Sequence, residues 1–200
     1  MAKKGTYTYE YPHPAVTADS VVFGYDGKQL KVLLIKRGQE KEASTRAFVG
    51  FWALPGGFLD VERDKTIAHY ALVRLSEVEG DTDADKAEWF AMKDIPRLAF
   101  DHDQILRVAC KRLRENLFFE PVGFDLLPEI FTLPQLQNLY ESILECKFDR
   151  RNFANKMKHF GLLIEVPDES PRRGSRTPIR YKFDKDNYER LKAGGFRLEF

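Results

Sequence analysis

Residues 132–183 constrain the architecture more than any other part of the chain. The stretch "TLPQLQNLYESILE" (132–145) opens on Thr132 with Gln135 three residues on, the spacing of a capping box. Its Leu136, Leu139, Tyr140, Ile143 and Leu144 recur at helical intervals and make one apolar face. A tight connection leads into "DRRNFANKMKHFG" (149–161). There Phe153, Met157 and Phe160 fall at i, i+4 and i+7, and Gly161 is placed to end the helix. A strand "LLIEV" (162–166), a loop rich in Pro, Arg, Gly and Ser, and a return strand "IRYKF" (179–183) follow. "DKDNYERLKA" (184–193) reads as a final short helix.

Helix, short turn, helix, then a hairpin with a basic tip is the order of a winged helix-turn-helix. With Phe153, Met157 and Phe160 turned inward, the second helix leaves Arg150, Arg151, Asn152, Asn155, Lys156 and Lys158 around its other faces. Arg and Asn suit bidentate readout of base edges in a major groove. The loop "SPRRGSRTP" (170–178) would be the wing, its Arg172, Arg173 and Arg176, with Arg180 in the return strand, reaching phosphates or a minor groove. Charge agrees with this placement. The whole chain carries a net charge of only +1, yet residues 147–182 hold 10 Lys/Arg against 4 Asp/Glu. A local basic block of this kind is a polyanion footprint. The competing reading is a small α+β domain whose basic surface meets RNA, a protein or solvent.

Two hundred residues suffice for one large domain or two small ones, and 43% hydrophobic residues are enough for a real core. No run approaches 18 apolar residues, so no membrane span is expected. The segment "MAKKGTYTYEYPHP" has no apolar run behind its lysines, and we expect no secretory signal there. Cys110 and Cys146 stand far apart, so neither a disulfide framework nor a thiolate zinc site is expected, and a reducing cytoplasm fits.

Before residue 120, "DSVVFGYDGKQLKVLLIKRG" (19–38) reads as two strands around an Asp26–Gly27 turn. "AEWFAMKDIPRLAF" (87–100) reads as a strand followed by an irregular segment. "DHDQILRVACKRLRENL" (101–117) is an amphipathic helix built on Ile105, Ala109 and Leu113, with Leu106, Cys110 and Leu117 beside them, and an Asp at 101 or 103 is placed to cap it. Between these segments, Leu54–Pro55–Gly56–Gly57–Phe58 opens as the phosphate–metal loop of a Nudix hydrolase opens. The Nudix pattern then asks for a helix displaying repeated glutamates, which hold Mg²⁺ and polarise a water against a pyrophosphate. Counted from Gly57, the first Glu position is Arg63, the Arg position is Ala71, the next Glu is Leu72, and the Glu pair falls on Leu75 and Ser76. A two-residue slip recovers Leu75, Glu77 and Gly80 but not the pair. Two readings of 67–75 follow. One is a degenerate helix on Ile67, Ala71 and Leu75. The other, which we favour, is a strand "HYALVRL" (69–75), with the Nudix helix interrupted near 67–69 and a loop leading into the next strand. Both remove the catalytic glutamates, so no catalytic or metal-ligating residue is assigned.

The segments "HPAVTADSVVF" (13–23), "VLLIKRG" (32–38), "WALPGGF" (52–58), "AEWF" (87–90) and "LAFDHDQIL" (98–106) bring a family into view. With the basic C-terminal segment, they make the chain resemble the Nudix-related transcriptional regulators of NAD metabolism. These are bacterial repressors that fuse a Nudix-like domain to a winged helix-turn-helix. The resemblance implies an α/β (α+β) architecture: a Nudix-like α/β/α sandwich with a mixed sheet over 1–120, and a winged helix-turn-helix over 121–200. It implies a homodimer on double-stranded operator DNA near NAD-metabolism genes, released by ADP-ribose or a related nucleotide, with no cofactor required. A divergent ADP-ribose or nucleotide pyrophosphatase with a basic accessory domain is the alternative.

An effector pocket of that kind needs no glutamates. Gly56 and Gly57 allow close backbone approach, and Arg37 is suited to a phosphate. Trp52, Phe58 and Phe48 are placed to stack on adenine, or else are core. His102 stands beside Asp101 and Asp103 as an effector contact or simply as part of a helix start.

Overall fold

A computed structural model of the chain describes residues 15–38, 48–58, 63–78, 84–167 and 178–195. Strand β1 (Ala15–Tyr25) and strand β2 (Leu30–Arg37) form the expected hairpin, with Phe23 opposite Val32 and Tyr25 opposite Leu30. The turn between them is made locally. Asp26 Oδ1 accepts from the Lys28 and Gln29 amides, each at 2.9 Å, and Gly27 takes φ +89°, a conformation costly to any residue with a Cβ. Strand β3 (Trp52–Ala53) and strand β6 (Ala84–Ala91) pair with β2, and strand β4 (Gly56–Phe58) runs antiparallel to β1 across Thr17–Asp19.

Strand β5 (Arg63–Leu72) decides between the two readings of the interrupted box. It runs parallel to β1 and pairs with it from Ala15 to Phe23, through Ile67 opposite Ala18, Ala68 opposite Asp19 and His69 opposite Ser20. The chain therefore passes residues 67–69 as one unbroken strand and the helical reading is excluded. The strand begins earlier than expected and ends at Leu72. Residues 73–78 are irregular, tied by the Val73 amide to the Phe23 carbonyl at 2.9 Å. The helical spacing of Ile67, Ala71 and Leu75 loses to pairing because a row of backbone partners on β1 is on offer, while Ile67 is half exposed and supplies no buried helix face. The six strands form one mixed sheet, as expected.

Alternation along β1 and β2 sets the core. Val21, Phe23 and Tyr25, with Leu30, Val32 and Leu34, are all buried. They cluster with Leu106, Ala109 and Leu113 of helix α1 (His102–Asn116). Asp19 shares the parity of Val21 and Phe23, so a carboxylate points to the apolar side and is buried there.

The C-terminal half follows the expected order: helix α2 (Leu133–Leu144), helix α3 (Arg150–His159), strand β8 (Leu163–Val166), strand β9 (Arg180–Phe183) and helix α4 (Lys185–Ala193). One element was not foreseen. Strand β7 (Phe131–Thr132) pairs with β9 and completes a three-stranded antiparallel sheet. The capping box is formed in both directions: Thr132 Oγ1 accepts from the Gln135 amide, and Gln135 Oε1 accepts from the Thr132 amide at 2.8 Å. Gly161 follows α3 at φ +69°, as its position required. No α1 cap comes from Asp101, whose side chain makes no cap hydrogen bond. One apolar cluster runs from Val21 and Val32 through Leu113 and Leu117 to Leu136, Tyr140, Phe153 and Met157, so both halves of the chain share it. Among the described residues no helix is long and apolar enough to cross a membrane.

Candidate small-molecule site and nucleic-acid interface

In the N-terminal half, the Leu54–Pro55–Gly56 turn is held by three elements. The Ser20 amide on β1 donates to the Pro55 carbonyl at 2.7 Å. The Leu54 amide donates to His102 Nδ1, at the first turn of α1, at 2.9 Å. Gly56 lies against Asp19: a Cβ there would come within 2.4 Å of Asp19 Oδ1 and 2.8 Å of the Ala18 carbonyl. Gly56 therefore has a packing reason to be glycine as well as the one its sequence context offered. His102 Nε2 faces Asp19 Oδ1 at 3.6 Å, and both residues are 7% exposed. Because Nδ1 accepts, the ring proton sits on Nε2, towards the carboxylate. Burial pulls the His102 pKa below its ordinary value, against the opposing pull of Asp19. Burial raises the carboxyl pKa of Asp19, and His102 opposes that rise. His102 Nδ1 is thus committed to the Leu54 amide while Nε2 faces Asp19 across 3.6 Å, which makes this residue a brace beneath the turn.

Beside this brace lies a row of rings. Arg37 places its guanidinium 4.9 Å from the Phe100 ring centre. Phe48 lies 4.7 Å from Phe100, Phe51 lies 5.5 Å from Phe48, and His102 lies 5.6 Å from Phe100. Phe48 and Phe100 both have positive φ, 69° and 55°, a conformation that costs a residue with a Cβ about 1–3 kcal/mol. Two strained phenylalanines in ring contact, next to a cation, mark a built feature. Phe100 and Phe51 were missed from the sequence, because Phe100 looks like ordinary core in "LAFDHDQIL". Trp52 stands apart from this row, packing edge-on against Phe90 at 4.7 Å. Gly57 and Phe58 belong to β4, where Gly57 pairs with Ala18 and Phe58 with Thr17. Among the described residues no group of three or more His, Cys, Asp or Glu is gathered that could hold a metal ion.

In the C-terminal half, α3 buries Phe153 and Met157 and exposes Arg150, Arg151, Asn152, Asn155 and Lys158. Asp149 Oδ1 caps the helix by accepting from the Asn152 amide at 2.8 Å. Arg151 and Asn155 are i and i+4, one stripe on the outer face. His159, four residues after Asn155, is exposed on the same stripe, where a lone histidine at a helix end gives the sequence no signal of it. Lys156 is half-buried. Lys158 leans towards the hairpin, 3.9 Å from Glu165 and 5.9 Å from the Tyr181 ring centre. Arg180 donates to the Pro167 carbonyl at 3.4 Å, across the base of the hairpin. Arg172, Arg173 and Arg176 lie outside the described residues. The turn into α3 is stapled by Glu141 on α2, whose carboxylate accepts from the Phe148 amide at 3.0 Å, Gln137 Nε2 at 2.9 Å and Lys147 Nζ at 2.5 Å.

Comparison with known proteins agrees with this geometry. Residues 123–183 match the family described as the NrtR DNA-binding winged helix domain. The ADPR-responsive transcriptional repressor NtrR of Acinetobacter baylyi is 28% identical over 90% of this chain and 86% of its own length. The crystal structure of Shewanella oneidensis NrtR complexed with a 27mer DNA superimposes with a TM-score of 0.65 at 25% identity, covering 92% of this chain and 97% of that one. An ADP-ribose pyrophosphatase of Methanocaldococcus jannaschii is 28% identical over 48% of this chain and 73% of its own length.

Proposed function

We propose that this chain, a Nudix-fused winged-helix regulator, is a bacterial repressor of NAD-metabolism genes that leaves its operator when ADP-ribose or a related nucleotide binds the N-terminal half. The observation that carries the reading is the exposed Arg151–Asn155 stripe on a capped helix in the second position of a winged helix-turn-helix. The likeness to an ADPR-responsive repressor over most of both chains supports the choice of effector. A two-fold homodimer in the cytoplasm fits, because paired half-sites about one helical turn apart require two recognition helices.

The effector would lie against the Leu54–Gly57 turn, with Arg37 taking phosphate and the Phe48, Phe51 and Phe100 row taking the base. The repressor holds no catalytic role in this reading. The segment that should display glutamates on a helix is β5, and its register positions carry Arg63 and Leu72. Release requires only that the nucleotide bind one conformation better than the other.

The test is a duplex selected from a random library, titrated with the full chain while anisotropy is read, with and without ADP-ribose. Selective binding that ADP-ribose weakens is expected. Selection that enriches no sequence, or an affinity unmoved by saturating ADP-ribose, would overturn the reading. Incubation of the same preparation with ADP-ribose and Mg²⁺ is expected to release no AMP; AMP at enzymatic rates would move the assignment to the pyrophosphatase alternative.

A further inference from the structure

Helix α1 has both ends engaged, and the two engagements belong to different halves of the molecule. At its first turn His102 takes the Leu54 amide at 2.9 Å and faces Asp19. Near its last turn Arg114 reaches α2: Nε donates to the Ile143 carbonyl at 2.9 Å, and the guanidinium pairs with Glu145 at 2.7 Å. The last carbonyls of a helix have no partner within it, and a cation there is favourable. Arg114 thus supplies from α1 a cap for the end of α2. Glu145 is the residue at which α2 ends, at φ +53°, and the chain from Glu145 to Asp149 is the turn that aims α3. His102 and Arg114 are separated by twelve residues, roughly 18 Å of rigid helix.

We propose that α1 is the coupling rod between effector and operator, and that Arg114 is the positioning residue through which it sets the turn before α3. The proposal rests on the function reading above and names how that site is regulated. Arg114 and Glu145 are 39% and 64% exposed, and an ion pair that open contributes little to stability. Its two-point, directional grip on Ile143 and Glu145 is suited instead to fixing one placement of α2 on α1. Helix shifts of about 1–2 Å are the usual currency of such transitions. A nucleotide that moves the Leu54–Gly56 turn pushes on His102, and α1 delivers the displacement to Ile143 and Glu145. Asn116, at the end of the same helix, donates to the Tyr70 hydroxyl on β5, so this end of the rod is tied to the sheet as well as to α2.

The experiment measures coupling separately from binding. For the full chain, operator affinity is read with and without ADP-ribose, and ADP-ribose affinity with and without operator; the two ratios must agree. The wild type is expected to show a ratio in the common range of about 5- to 150-fold. Arg114→Met is expected to bind each ligand alone within about threefold of wild type, while the ratio falls to within about twofold of one. An Arg114→Met ratio equal to wild type overturns the proposal. Should Arg114→Met melt early, Glu145→Gln, which removes the ion pair and leaves the Ile143 bond, serves instead: a reduced ratio supports the rod and an unchanged ratio overturns it. A wild type whose operator affinity ignores ADP-ribose overturns the function reading, and the rod with it, so the two failures are told apart by the wild-type control.

Discussion

Asp19 and His102 meet in the floor of the N-terminal half at 3.6 Å, Oδ1 to Nε2, and the other nitrogen of the ring holds the Leu54 amide. The neutral imidazole suits both sides: it accepts from the Leu54 amide and turns its N–H towards the Asp19 carboxylate. Protonation would put an N–H against an N–H at Leu54. Burial lowers the folded pKa of His102 beneath its ordinary 6.5, so the unfolded chain binds the proton first. Stability from this group is therefore complete above 6.5 and falls as pH drops below it. Asp19 acts oppositely at lower pH, since its raised folded pKa lets the native state take a proton before the unfolded state does. His102→Asn keeps an acceptor near the Nδ1 position and removes the titration. It is expected to flatten the loss of melting temperature between neutral pH and pH about 5. A variant whose pH profile overlays the wild type would exclude His102 as the titrating group.

Gly56→Ala is expected to destabilise the fold by about 1–3 kcal/mol, the usual cost of overpacking. The added Cβ would meet backbone oxygen of Ala18 as well as the Asp19 carboxylate, and backbone cannot step aside as a side chain can. The pairing of Gly56 with Asp19 would loosen, releasing the turn from His102. Denaturant melts check the stability, and ADP-ribose affinity should fall with it. A fully stable variant would show that the turn relaxes freely.

What could be read from the sequence was mostly what is made locally. The Asp26–Gly27 turn, the Thr132–Gln135 box and the Gly161 terminus depend on residues within a few positions of each other, and each formed as its chemistry required. The strand at 63–72 was legible only in part. Its ends are set by β1, whose register no periodicity in β5 records. Asp19 and His102 lie far apart in sequence, and nothing in "TADSV" announces a buried carboxylate. The conformations of Phe48 and Phe100 were opaque for another reason: both take positive φ, and phenylalanine carries no signal for a left-handed backbone. Strand β7 has two residues, too few for any alternation to show.

Glu141 should be the acid-sensitive point of the C-terminal half. The Lys147 ammonium, with Gln137 and the Phe148 amide, holds its carboxyl down at about 2. A lowered folded pKa contributes stability above the ordinary value of 4.5, lost as pH falls through about 2. Glu141→Gln is expected to cost about 1–3 kcal/mol at neutral pH, because donors aimed at a carboxylate lose their charged acceptor. The staple ends at Phe148, one residue before the α3 cap, so operator affinity should fall more than ADP-ribose affinity. Calorimetric melts and the two binding titrations read these separately. Equal losses in both ligands would mean that Glu141 supports the whole fold and not the aim of α3.

The last prediction separates reading from holding. Arg151 and Asn155 lie exposed on the outer stripe of α3, the face proposed above to read base edges. Arg151→Ala or Asn155→Ala is expected to cost about 1–3 kcal/mol on the selected duplex and little on a random one, so sequence preference relaxes. Arg172→Ala and Arg173→Ala, in the loop assigned as the wing, should weaken both duplexes alike and lower the salt dependence of binding by about one unit for each phosphate that is no longer neutralised. Titrations of each variant on both duplexes at three salt concentrations distinguish the patterns. If the α3 variants also weaken binding equally on both duplexes, Arg151 and Asn155 grip the backbone, and the sequence-reading surface lies outside these two positions.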